Sequence, residues 1–220
     1  MADTEAFEER EMKSEKKWWM AALAMLVVMG AAAVVGAHPG HHHHGGEGMG
    51  LMAGLVHPWS GIDHLAAAVL VGAWAVMGSA ERGRIVLPGV FLGAMTLGVV
   101  AMALGVGPAF AGGLTAASVV VLGALVGARW SVPMVVAVGA MALFGMIHGA
   151  SHLAAGAGLS LATGLYVLGL VASTALLHAI GVAAATWAMR SKRSTMVARL
   201  AGGVAAVGGA VWLLSGWPIL

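Results

Sequence analysis

Residues 51–78 read LMAGLVHPWSGIDHLAAAVLVGAWAVMG, an apolar run interrupted by His57, Pro58, Gly61, Asp63 and His64. A helix needs about 20 apolar residues to cross the hydrocarbon core of a bilayer. Strands run about 5–6 residues, so an apolar stretch of this length is read as a helix. Similar stretches cover roughly 18–37, 85–104, 109–128, 132–154, 159–188 and 197–216. Short segments such as SAERGR, GVGP, ARWS, AAGAG and MRSKRSTM separate them. The expected fold is all-α and polytopic: six transmembrane helices, with segment 18–37 as a signal sequence or a seventh helix.

Composition agrees. Apolar residues make up 60% of the 220 positions and charged residues 9%, where a soluble domain carries about a quarter. So little charge cannot cover a water-facing surface, so lipid is the expected solvent and partner. The 34 glycines suit helices that must approach closely without a hydrophobic force between them. Cysteine is absent, which removes disulfides, thiolate metal sites and cysteine nucleophiles. A net charge of +2, with the basic residues scattered over short loops, gives no face for nucleic acid.

Those basic residues set the orientation. With the N-terminus inside, segments 1–17, 79–84, 129–131 and 189–199 are cytoplasmic. They hold Arg10, Lys13, Lys16, Lys17, Arg82, Arg84, Arg129, Arg190, Lys192, Arg193 and Arg199, which are all 11 Lys and Arg of the chain. Trp18, Trp19, Trp74, Trp130 and Trp187 fall near the inner interface and Trp217 near the outer one. Three units follow. Residues 1–37 are a cytoplasmic tail and signal peptide or anchor helix, with small or compact residues at Val35-Gly36-Ala37 where a signal peptidase would cut. Residues 38–50 are an outer histidine-rich segment, and 51–216 form the membrane domain. Residues 38–50 and the C-terminus are expected outside the membrane, on the periplasmic or extracellular side.

The chemistry-bearing residues are histidines and one acid. His38, His41, His42, His43 and His44 cluster in the outer segment, and neutral imidazole suits nickel, copper, zinc and cobalt. Asp63 is the only acid within a predicted span. A charge at that depth costs about 2.5–3.5 kcal/mol on insertion scales, so it needs a partner, water or an ion. Pro58 and Gly61 argue for a break in the helix. Such a break would let His57 and His64 converge with Asp63, as transporters build ion sites at interrupted helices. Alternatively, these polar groups only satisfy each other between helices. His148 and His152 are four apart, so one helix face would present both to a single metal. Gly149 stands where a metalloprotease would have its general base, so hydrolysis is unsupported. His178 stands alone on its span, as a ligand, a relay or a structural hydrogen bond.

Leaving out segment 18–37, the six spans divide three and three. The span with His57 and the span with His148 open the two halves in opposite directions, as an inverted 3+3 repeat would.

His57-Pro58-x-x-Gly61-x-Asp63-His64-Leu65, followed by Val71-Gly72-x-Trp74, resembles the signature of the HupE/UreJ family. These are small bacterial membrane proteins found beside hydrogenase and urease genes and regarded as nickel permeases. The resemblance continues through Phe144-x-x-x-His148-Gly149-x-x-His152 and Ala175-Leu176-Leu177-His178-x-x-Gly181, covering most of residues 38–216. It implies that His57, Asp63 and His64 are essential for transport. The family's second motif usually reads His-Gly-x-Ala-His-Gly-x-Glu. Leu153 replaces its second Gly and Ala155 its Glu, which leaves metal identity or affinity open.

No phosphate-binding glycine loop with a following Lys occurs, so nucleotide-driven pumping by this chain is excluded. The expected function is a secondary transporter or permease importing a divalent metal, Ni2+ by the resemblance, across the bacterial inner membrane for hydrogenase or urease maturation. No enzyme activity, no permanently bound cofactor and no nucleic acid are expected; further copies of the chain are admissible partners. Cobalt or copper stay open as cargo. A metal sensor or chaperone would need a larger cytoplasmic surface, and an intramembrane metalloenzyme would need a general base besides Asp63.

Overall fold

A computed structural model describes residues 50–78, 82–107, 111–190 and 194–215. Segment 18–37 and the cluster His38 to His44 lie outside the described residues. Among those residues the chain is all-helical: α1 (Leu51–Ser60), α2 (Ile62–Met77), α3 (Gly83–Ala103), α4 (Ala111–Ala128), α5 (Met134–Ala150), α6 (Leu161–Met189) and α7 (Ser194–Ser215). By length and composition α3, α4, α6 and α7 can each cross a membrane. The α1–α2 pair does so only if joined, and α5 is a shorter apolar helix.

The break in the opening stretch is where Pro58 and Gly61 put it. Pro58 lies inside α1 without an N–H to give the helix, and Gly61 adopts extended backbone (φ −97°, ψ 116°). The two helices meet at 82°. A Cβ at Gly61 would stand 2.9 Å from Asp63 Oδ1 and 3.0 Å from His64 Nδ1, so a side chain there would push on these two groups. At the other expected site the helix is shorter than the sequence suggests. α5 stops at Ala150 rather than running to 154. Residues 151–160 then turn back over the end of α3, donating from Gly156 N to Met102 O (2.8 Å) and from Gly158 N to Ala103 O (3.0 Å). Gly156 and Gly158 hold φ of 77° and 82°, a region open mainly to glycine.

Glycine seams join the helices in pairs. Gly54 of α1 lies on Tyr166 and Leu170 of α6, and Gly169 of α6 lies on Leu51 and Leu55 in return. Gly72 of α2 and Gly181 of α6 are reciprocal in the same way, as are Gly98 of α3 and Gly149 of α5, and Gly123 of α4 and Gly202 of α7. At each of these a Cβ would overlap the facing backbone. This is the close approach that small residues give where lipid supplies no hydrophobic drive. Trp74, Phe91, Met95, Leu122, Met141 and Phe144 fill the space between the seams.

Side-chain bonds gather the basic turns at one end. Trp74 Nε1 donates to the Trp130 carbonyl (2.9 Å). The Arg129 guanidinium reaches Thr195 Oγ1 at 3.1 Å, and Met189 Sδ at the same distance. The end of α2, the α4–α5 turn, the end of α6 and the start of α7 therefore sit together. The loop 151–160 lies with the end of α3.

Candidate functional site

Three histidines from three segments meet where α1 breaks from α2. His57 comes from the last turn of α1, His64 from the first turn of α2, and His152 from just beyond α5. Their ring centroids are 5.4 Å (His57–His64), 4.8 Å (His57–His152) and 4.5 Å (His64–His152) apart. One nitrogen from each lies within 4.8 Å of the others. A metal–imidazole bond of about 2.0–2.1 Å puts tetrahedral neighbours about 3.4 Å apart, so a modest inward movement would close the three on one ion. His152 is buried, and His57 and His64 are partly so.

The supporting contacts explain how the break presents these rings. Trp59 Nε1 donates to Ser173 Oγ of α6 at 2.7 Å, fixing the end of α1. Ser60 Oγ donates back to the His57 carbonyl (2.8 Å), taking up a carbonyl near the helix end. His57 also packs edge-on to Tyr166 at 6.0 Å. On α2, Asp63 Oδ2 lies 2.7 Å from His64 Nδ1. A carboxylate there draws the ring proton to Nδ1 and leaves Nε2 as the lone-pair nitrogen. This is how carboxylates commonly orient metal-binding histidines. Ser151 Oγ stands 3.4 Å from that Nε2.

This arrangement differs from the sequence reading in three respects. Asp63 is beside the cluster rather than within it; it acts on His64. His148 and His152 do not form a helical pair, because α5 ends between them. His148 instead turns inward: its Nε2 lies 2.7 Å from Ser118 Oγ of α4, and that hydroxyl donates to the Thr115 carbonyl (2.7 Å). With its one proton so used, Ser118 accepts from His148, which fixes the tautomer. His148 still touches His64, at a ring separation of 5.4 Å. His178 lies apart from the three, with Nδ1 2.7 Å from the Ala68 carbonyl. The sequence reading had no place for Ser118, Ser151 or Tyr166, since a lone hydroxyl in an apolar helix carries no pattern of its own. The outer-segment cluster of His38, His41, His42, His43 and His44 falls outside the described residues.

The donor set is imidazole with a nearby carboxylate and no sulfur, which suits borderline divalent metals such as nickel, cobalt and zinc.

The family model described as HupE / UreJ protein matches residues 24–213. A curated protein of Rhizobium leguminosarum bv. viciae, "Protein HupE", is 36% identical over 167 residues, spanning 75% of this chain and 85% of its own length. No solved structure matches.

Proposed function

The chain belongs to the HupE/UreJ family, and from that premise we propose that it is a permease importing a divalent transition metal, nickel first, through the bacterial inner membrane. The metal would serve hydrogenase or urease maturation. The observation that carries this reading is the convergence of His57, His64 and His152 on one point beside a broken helix. Broken helices are where transporters place ion sites, because the freed backbone and side chains line a cavity rather than lipid.

In this reading the histidine end of the bundle is periplasmic and the basic end cytoplasmic. Metal gathers at His38 to His44, passes to His57 and His152, and exchanges water for imidazole at His64. Asp63 offsets part of the dication's charge, which a low-dielectric site must do for the ion to be tolerated. Nitrogen donors without thiolate favour release as well as capture. With Ala155 where the family usually has a carboxylate, Asp63 is left as the acid of the site.

The seams also support an inverted 3+3 arrangement. The broken span α1–α2 packs on α6, the second span of the other half. Its counterpart α5 packs on α3, and the third spans α4 and α7 pack on each other. A two-fold axis in the membrane plane produces that exchange.

Nickel uptake by cells carrying the wild-type chain, Asp63→Ala or His64→Ala tests the proposal. Uptake is expected to fall to the level of cells lacking the chain in both variants. Wild-type rates in both would overturn it.

A further inference from the structure

Among the described residues, and apart from the three-histidine site, the buried side-chain N or O atom without a hydrogen-bond partner is Nε2 of His178. His178 lies on α6 and is 2% exposed. Its Nδ1 stands 2.7 Å from the Ala68 carbonyl, which can only accept, so the ring proton is on Nδ1 and Nε2 carries a lone pair. That Nε2 is buried and has no hydrogen-bond partner among the described residues. Tying α6 to α2 requires Nδ1 alone. A bare acceptor is a cost to folding, and its presence points to something that visits.

Ring contacts lead from the histidine cluster to this atom. His64 packs on His148 at 5.4 Å, His148 on Phe91 at 5.5 Å, and Phe91 on His178 at 5.2 Å with the planes at 84°. Phe91 is fully buried and touches both His148 and His178. His178 is also further along the bundle. It is 17 residues beyond Leu161, about 26 Å of helix, and 11 before Met189, about 16 Å from the basic end.

We propose that His178 is a second, inner station for the transported cation. Nε2 takes the ion after it leaves His57, His64 and His152, and Phe91 is the apolar barrier between the two positions. The proposal rests on the transport reading above. A single imidazole binds weakly, which suits a last stop before release.

His178→Asn keeps an amide N–H near the position of Nδ1, so the bond to Ala68 can persist, but it removes the distal nitrogen. The test is Co2+ uptake into vesicles holding the purified full-length chain, together with the visible absorption of Co2+ bound at the outer site. The expected result for His178→Asn is a maximal rate lowered roughly tenfold or more, with the half-saturating concentration and the outer-site absorption unchanged. His152→Ala should instead lose the outer-site absorption along with uptake. Should the Asn variant lose that absorption through misfolding, His178→Ser, whose hydroxyl does not reach the position of Nε2, is judged by the same criteria. Wild-type uptake in a folded His178 variant overturns the inner station and leaves the transport reading intact. Failure of the wild-type chain to move either Co2+ or Ni2+ overturns both.

Discussion

Two alanine substitutions on the same helix should act in opposite directions. At Gly149 of α5 a Cβ would overlap the Met95 carbonyl and stand 2.9 Å from Val99 N on α3. Ordinary contact begins near 3.4 Å, so α3 and α5 must part by at least about half an ångström at Val99, and by more at Met95, an overpacking cost of about 1–3 kcal/mol. At Gly139, also on α5, a Cβ meets nothing within 4 Å. Alanine there removes backbone freedom and gains about 0.5–1 kcal/mol. The Gly149 change also reaches the site, because His152 follows three residues later. A ligand displaced by about 1 Å can cost on the order of a hundredfold in function. Thermal unfolding in detergent and Co2+ titration followed by visible absorption would read both effects. Gly149→Ala should lower the midpoint and weaken Co2+ binding about tenfold or more, while Gly139→Ala should raise the midpoint and leave binding unchanged. If the two variants shift the midpoint in the same direction, or Gly149→Ala binds Co2+ like wild type, the seam does not position the site as described.

Asp63→Asn keeps the shape of the side chain but removes its charge and its pull on the His64 proton, so Ni2+ affinity by equilibrium dialysis should fall about 10–100-fold with little change in thermal stability. Ser118→Ala takes away the hydroxyl that accepts from His148. It should destabilise by about 1–3 kcal/mol while leaving Ni2+ affinity within about twofold, since His148 is outside the trio; a large affinity loss would place His148 in the site after all. Deletion of residues 38–47 should slow uptake at scarce metal and not at saturating metal, and an equal loss at both would make that segment part of the path.

Much of this was legible in the sequence because it follows from local rules. Pro58 and Gly61 mark the break, and the break makes His57 and His64 neighbours without any knowledge of the other helices. Grouping the basic residues by side puts Arg129 and the start of α7 at one end, and Arg129 does meet Thr195. Gly145 and Gly149, four apart, mark a packing face in the sequence, and both lie on the backbone of α3; the match of Gly149 with Gly98 does not show there, because reciprocity between helices is a tertiary fact. The second histidine pair misled for a physical reason. Four-residue spacing implies one face only while the helix lasts, and α5 ends at Ala150 with Gly156 and Gly158 turning the chain away. That early end releases His152 toward His57 and leaves His148 pointing at Ser118. Asp63 stands out in the sequence as the one acid of the predicted spans, but its place beside His64 rather than among the converging nitrogens depends on the bend at Gly61.

The most direct test of the central claim is the initial rate of Ni2+ influx into sealed vesicles with this chain as the sole protein, wild type against His152→Ala. His152 joins the site only through the fold, so it tests the geometry as well as the function. The account predicts wild-type influx well above that of protein-free vesicles and a return to the protein-free rate in His152→Ala. Influx in the variant equal to wild type, or no influx with wild type, would contradict it.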